Sequence, residues 1–418
     1  MAADEERVSV EEARARSLAR VGVLPAEDVD LLESLGRVLA RDVSSDIDVA
    51  PFDNSSMDGY ALRSADLAGA SAEAPVRLDV LAEVGAGDVF GADLPSGACV
   101  RIMTGAPMPA GADAVVKYEL VGEGAVGGKA VFSAPARPGE NVRRAGEEFR
   151  AGDVVMRRGE VVTPYAMGLL ASAGAARVGV TRRPRVGVFS IGSELVSPEE
   201  VPAAGKIRNS NTACLLGLAL QAGCEARAYP TVPDDEGAIR AALERALAEN
   251  DAVISAGGAS KGDFDFINPV IASLGEVAFS FISLRPGKRQ TMGVVGGKPV
   301  FGLSGNPAAA AVGFELFIRP ALRKMGGFPD GERPVQTARL ASPIRKKEAR
   351  RYYDRGWVEQ APDGSLQARE YQAQSSALLG ALQRCNCLIV LPDDEVGTFE
   401  EGREVRCLRI DLPEGTAL

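Results

Sequence analysis

Between residues 181 and 328 the chain alternates short apolar runs with longer segments whose apolar positions recur every three or four residues. The runs Arg185–Ser190, Ala226–Tyr229, Ala252–Ile254, Val277–Ile282, Thr291–Val295 and Val300–Leu303 read as strands. Thr212–Ala222 (stopped by Gly223), Asp235–Glu249, Ile267–Leu274 and the stretch from Pro307 to Lys324 read as helices. A β-branched run bounded by breakers suits a strand buried on both faces, whereas the 3.6-residue period suits a helix resting on it. Strand–helix alternation of this kind implies a mostly parallel sheet covered on both sides. Ligands of such sheets sit beyond the carboxyl ends of the strands.

The flanks have a different texture. Residues 5 to about 45 read as helical, with one run at Val10–Ala13 and an amphipathic run from Ala26 to Leu39. From 46 to 144, short apolar runs such as Val76–Val84, Ala98–Met103 and Ala114–Val116 are punctuated by Gly, Pro and Asp, which predicts a compact β domain. Thr163-Pro164 opens a helix through Ala173, with Thr as cap and Pro at the first helical position. Beyond the breaker cluster Gly326-Gly327-Phe328-Pro329, residues 334–418 are strand-like again, with one helical turn at Ser376–Leu382; a small β-barrel is expected. The expected organisation is therefore multidomain: a helical/linker unit (1–45 with 145–180), an inserted β domain (46–144), an α/β domain (181–328) and a C-terminal β-barrel (329–418).

Composition then narrows the chemistry. The 418 residues are 46% hydrophobic and 25% charged, as in a soluble globular protein of several domains. A net charge of −10 argues against a general nucleic-acid binder. The acidic start, Asp4-Glu5-Glu6, lacks the apolar core of a signal peptide, and no segment reads as membrane-spanning. Six cysteines, at 99, 214, 224, 385, 387 and 407, give no disulfide framework, so a reducing cytoplasm fits. Cys385-Asn386-Cys387 is a lone C-x-C beside a strand; metal binding and plain packing are both open for it. The chain contains no histidine. That removes Ser-His-Asp and Cys-His catalysis and His-ligated zinc, and leaves carboxylates, hydroxyls, Lys/Arg, backbone amides and a hard metal ion.

The richest ten residues are Gly257-Gly258-Ala259-Ser260-Lys261-Gly262-Asp263-Phe264-Asp265-Phe266, between a predicted strand and a predicted helix. Three glycines permit a sharp turn and close approach to a ligand, and free N–H groups beside a helix start suit an anion. Two carboxylates two residues apart in the same place call for a bridging cation, so phosphate plus divalent metal is the favoured reading; a turn with solvated acids is the alternative. The spacing is neither Walker A nor G-x-G-x-x-G. Other polar loops are Pro51–Ala61, Arg101–Ala106, Asn141–Glu148, Ser190–Leu195 with Glu194 at a strand end, the turn Ser304–Pro307, and the basic turn Arg285-Pro286-Gly287-Lys288-Arg289. The last suits an oxyanion. Taken singly, each also reads as an ordinary capped or solvated turn.

Pro51–Ala61, Arg101–Ala106, Gly257–Asp265, Arg285–Lys288 and Leu303–Pro307, in this order, resemble the molybdopterin molybdenumtransferases, the family of bacterial MoeA proteins and the gephyrin E domain. The resemblance spans about residues 8 to 412. It implies four domains and a homodimer whose site lies between the α/β domain of one subunit and the β domain of the other. It implies a reaction in which adenylylated molybdopterin and molybdate give molybdenum cofactor and AMP, with Mg2+ or another divalent cation. Possible partners are the upstream adenylyltransferase and recipient molybdoenzymes.

Residue by residue, the resemblance puts catalytic roles on Asp58, Thr104, Glu148, Glu194, Asp234 and Asp265, and metal binding on Asp263, Asp265 and Glu194. Nucleotide contacts fall to Gly257, Gly258, Ser260, Ser304, Asn306 and Pro307, and oxyanion contacts to Arg285, Lys288, Arg350, Arg355 and Ser376. The chain departs from the family pattern at several places. Glu148 replaces Asp, Arg285 replaces Lys, Phe281 stands where Lys is common, Ala309 where Ser is common, and Cys387 where Gly is usual. A tungstate-inserting paralogue, a pterin adenylyltransferase or nucleotide pyrophosphatase, and a non-catalytic scaffold are the competing readings.

Overall fold

The computed structural model describes residues 6–258 and 266–418. Its centre is a seven-stranded sheet in the order Arg7–Val8, Glu276–Ile282, Arg289–Val295, Lys298–Leu303, Ala252–Ala256, Arg185–Ser190, Glu225–Ala228. The last four of these pair in parallel, and Arg289–Val295 runs antiparallel to both its neighbours. The sequence dictates this: Ala252–Ala256 is buried at every position, as a strand covered on both faces must be. Helices Asn211–Gln221 and Glu236–Glu249 lie in separate apolar clusters, on the two faces of the sheet. Strand Arg7–Val8 joins the sheet edge and helix Val10–Ala19, capped by the Ser9 hydroxyl, packs on the same core.

One expected helix is absent. Ala26–Leu39 forms a strand, Ala26–Asp30, paired with Arg177–Thr181, and then a short 3-10 turn at Leu31–Ser34. Pairing along five residues satisfies the backbone, and Leu32 is left exposed. The helix at Pro164–Ser172 begins as expected, with Thr163 capping the amide of Ala166.

The β segment is a six-stranded sheet in the order Ala114–Lys117, Gly59–Leu62, Ala98–Ile102, Val76–Val84, Lys129–Phe132, Val121–Glu123. At the other end, strands Val335–Leu340, Arg351–Gln360, Leu366–Glu370, Cys387–Leu391 and Glu404–Arg409 close into a five-stranded barrel. The barrel is joined to the α/β unit by the short strand Leu284–Arg285, which pairs in parallel with Arg351 and Tyr352. A buried ionic cluster adds a second tie: Glu315 takes both Arg319 and Arg333, and Arg319 also reaches Glu414 near the C-terminus.

Candidate functional site

The carboxyl ends of the parallel strands open into a cleft of about 510 Å³. Strand Arg185–Ser190 delivers Glu194, the turn after Val232 delivers Asp234, strand Ala252–Ala256 delivers Gly257 and Gly258, and strand Lys298–Leu303 delivers Ser304–Pro307. Seven of the residues anticipated from sequence thus line one cavity. The helix Asn211–Gln221 starts at its wall, so backbone N–H groups of a first turn lie beside the opening.

Local chemistry holds this shape. The Ser193 amide donates to Asp234 Oδ2 at 2.8 Å, and the Asp234 amide returns a bond to Ser193 Oγ at 3.3 Å. Lys206 Nζ donates to the Ser193 carbonyl at 2.6 Å. Gly257 has φ +94°, and a Cβ there would lie 2.1 Å from the Ile191 carbonyl oxygen, so only glycine fits the close approach of the two strand ends. Its amide donates to the Leu303 carbonyl at 3.0 Å, tying together the two strand ends that floor the cleft. Ser260, Asp263 and Asp265 lie outside the described residues.

Sequence reading missed the run Arg208-Asn209-Ser210-Asn211, which forms much of the wall. Asn209 accepts from Ser190 Oγ at 3.0 Å and donates to Thr212 and Thr231, cross-linking two strand ends to the helix start. Asn211 Nδ2 donates to the Gly305 carbonyl at 2.8 Å, fixing the Ser304–Pro307 turn. The available signal was Asn-Ser-Asn-Thr just ahead of a helix, a dense cluster of capping residues.

Asp58, Thr104 and Glu148 do not line this cleft. Asp58 and Thr104 form a ledge of their own on the six-stranded sheet. Both the amide and the hydroxyl of Thr104 donate to Asp58 Oδ1, at 2.7 and 2.9 Å. The amide bond, then the hydroxyl, then the charge of Arg101 hold the Asp58 carboxyl below the usual aspartate range. Gly59 is required next to it, since a Cβ would sit 2.1 Å from the Val116 carbonyl oxygen. Glu148 is exposed, its amide donating to the Val49 carbonyl at 3.2 Å.

The basic turn abuts the cleft floor. Gln290 donates to the Ala309 carbonyl at 3.2 Å, and Gly287, at φ +92°, lies against Ala309, where a larger residue would crowd it. Lys288 is exposed, whereas the Arg285 guanidinium stacks on the Tyr352 ring at 4.7 Å. Phe281 brings no cation of its own, but Arg289 sits 4.8 Å over its ring. Arg355 is fully buried and donates to the Ser375 carbonyl at 3.0 Å, so it shapes the segment carrying Ser376 rather than facing the opening. The Ser376 carbonyl accepts from the Ala308 amide at 2.9 Å, which brings the barrel to the cleft rim. Arg350 pairs with Glu348 at 2.9 Å.

Cysteine chemistry is absent from this arrangement. Burial pushes Cys99 and Cys224 up to about 12 and Cys385 up to about 11, all six thiols are free, and Cys387 is packed in the barrel core. Among the described residues, no group of three or more Asp, Glu or Cys could hold a metal ion, and no helix is long and apolar enough to cross a membrane.

Comparison with known proteins adds the following. Residues 8–174 match the family model for the MoeA N-terminal region (domain I and II), 187–324 that for a probable molybdopterin binding domain, and 337–410 that for the MoeA C-terminal region (domain IV). The chain is 36% identical to a molybdopterin molybdenumtransferase of Staphylococcus aureus (strain COL) over 95% of this chain and 94% of the relative. It is 37% identical to a protein of the same name from Bacillus subtilis (strain 168) over 93% of this chain and 91% of the relative. A crystal structure of a molybdopterin biosynthesis MoeA protein from Pyrococcus horikoshii superposes with a TM-score of 0.83, at 32% identity, covering 97% of this chain and 99% of that one.

Proposed function

The chain belongs to the MoeA family of molybdopterin molybdenumtransferases, and on that premise we propose that it inserts molybdate into adenylylated molybdopterin, releasing AMP and forming molybdenum cofactor. The observation that carries the reading is the convergence of Glu194, Asp234, Gly257, Gly258 and Ser304–Pro307 on one cleft at the strand ends. Such a cleft suits a nucleotide: the glycine turn lets the backbone approach a ligand closely, and helix Asn211–Gln221 starts at the cleft wall, where the positive end of its dipole favours phosphate oxygens.

In this reading Asp234 holds the Ser193 amide and thereby aims Glu194 into the cleft. Asn211 and Asn209 keep the opposite wall in register. The donors that remain are carboxylate and carbonyl oxygens, with neither His nor Cys, which suits a hard divalent cation such as Mg2+. Glu194, with Asp263 and Asp265, would hold it, and it would supply charge neutralisation at the phosphoanhydride. Arg285, Lys288 and Ser376 form the oxyanion end, with Arg355 as a support. The same turn serves molybdate or tungstate, both tetrahedral dianions.

Asp58, Thr104 and Glu148 find their place in a homodimer, where the ledge of one subunit faces the cleft of the other. The four-domain division, a cytoplasmic location, and hand-over from the upstream adenylyltransferase to recipient molybdoenzymes belong to the same proposal. The test is direct: incubate the protein with adenylylated molybdopterin, a magnesium salt and molybdate or tungstate, and follow AMP. Oxyanion-dependent AMP release with formation of active cofactor is expected; no AMP release with either oxyanion would sink the reading.

A further inference from the structure

Behind the basic turn lie two carboxyls, Asp354 and Glu370, to which the proposed reaction gives no role. Tyr352 and Asp354 are alternate residues of strand Arg351–Gln360, so they share a face. Arg285 stacks on Tyr352 and is the first charge to favour an ionised Asp354. Across the strand pair, Gly356 lies opposite Glu370, which brings a second carboxyl to the same group. Asp354 is only 3% exposed, yet it makes no side-chain hydrogen bond and no ion pair within 4 Å among the described residues. Arg355 is fully buried and its Nε has no acceptor. A buried, unpaired carboxylate is costly unless it changes its protonation state, even with the charges of Arg285 and Arg355 favouring the ionised form.

We propose that Asp354 and Glu370 set the charge of the oxyanion end, taking up a proton when a tetrahedral dianion binds at the Arg285–Lys288 turn. This inference rests on the assignment of that turn to the oxyanion. With both carboxyls ionised, the two guanidiniums are compensated and a dianion meets little attraction. Protonation of one or both releases that positive charge to the anion, and the anion in turn favours the protonated carboxyls.

The electrostatics run the right way. Burial pushes Asp354 up to about 6, against the pull of Arg285 and Arg355. Burial pushes Glu370 up to about 7, with Asp354 adding to the rise and the same two arginines opposing it. Strand Cys387–Leu391 places Ile389 opposite Asp354. Cys385 lies near Arg355. Lys346 shares the Tyr352 ring, 5.3 Å from its centroid, but takes its own charge partners from Asp393, Asp394 and Glu395.

The experiment is calorimetric titration of the full chain with molybdate, in pairs of buffers of different ionisation heat, at about pH 6, 7 and 8. The protein as it stands should take up close to one proton near neutral pH and bind molybdate at least roughly tenfold more weakly at about pH 8 than at about pH 6. Asp354→Asn with Glu370→Gln should abolish the uptake and flatten the pH dependence; Glu370→Gln alone, at a partly buried position, should reduce it. Binding that is independent of pH and buffer overturns the inference while leaving the oxyanion reading intact. Proton uptake that survives in a folded double variant also overturns it. No molybdate binding at any pH removes the oxyanion reading itself, and the inference with it.

Discussion

The strand-end cleft and the basic turn are neighbours, but they treat charge in opposite ways. In the cleft, Glu194 and Asp234 sit at exposed positions, and Asp234 is met by a backbone amide of the opposing turn. At the turn, Arg355 and Asp354 are almost wholly out of water and Arg285 rests on an aromatic ring. On the proposed reading the cleft takes a flexible nucleotide and a cation, for which solvated carboxylates on rigid turns are suited, since both ligands arrive hydrated. A site that takes a small dianion gains from charges in a low-dielectric setting, where each is felt more strongly. The same contrast separates the two buried ionic groups: Glu315 is paired with two arginines, and Asp354 with none.

The comparison breaks first, and hardest, at Gly257. Gly257→Ala forces a Cβ onto the Ile191 carbonyl at a left-handed φ and should cost about 3 kcal/mol or more of stability, with activity reduced by at least roughly 100-fold. Urea denaturation and AMP release measure the two effects; a variant close to the parent in both would show that the cleft is not rigid.

Next comes Asp354. A raised carboxyl means the native state binds more protons than the unfolded chain between the ordinary aspartate range and about 6. Stability is therefore lost as pH rises through that window. Asp354→Asn removes the penalty and should add on the order of 2 kcal/mol at about pH 8 and little at about pH 4. Denaturation at the two pH values decides; an equal gain at both would contradict the assignment.

Asp234→Ala takes the acceptor from the Ser193 amide and should weaken AMP binding roughly tenfold without altering molybdate binding. The smallest effect is expected at Phe281. Phe281→Lys adds a cation but loses the Arg289 stack, for a net gain in molybdate affinity of roughly twofold to fivefold. A loss of affinity would mean that the stack matters more than the charge.

Much of this molecule could be read from its sequence, and the reasons differ by region. The parallel strands were legible because strands such as Ala252–Ala256 are buried on both faces and show apolar runs such as Ala252–Ile254. The barrel was legible from short punctuated strands. Ala26–Asp30 was not, because its apolar spacing also fits a helix and its partner strand, Arg177–Thr181, is remote in the chain. In the site, Glu194, Asp234 and the glycine turn were visible as polar residues at strand ends. Asn209 and Asn211 were passed over, because Asn residues just ahead of a helix are ordinarily capping residues, yet they brace the cleft through Ser190 and Gly305. Arg355 reads in the sequence as an anion contact, and its complete burial with a bond to the Ser375 carbonyl could not be seen locally. No local pattern could place Asp354 and Glu370 within the influence of the Arg285 charge, since that depends on the pairing of three strands.

The most direct test of the division of labour is equilibrium binding of AMP and of molybdate to the parent chain, Glu194→Gln, Asp234→Ala and Lys288→Ala. The account predicts that the two cleft variants lose AMP affinity by roughly tenfold and keep molybdate, whereas Lys288→Ala loses molybdate and keeps AMP. Parallel loss of both ligands in all three variants, or the reverse assignment, would contradict it.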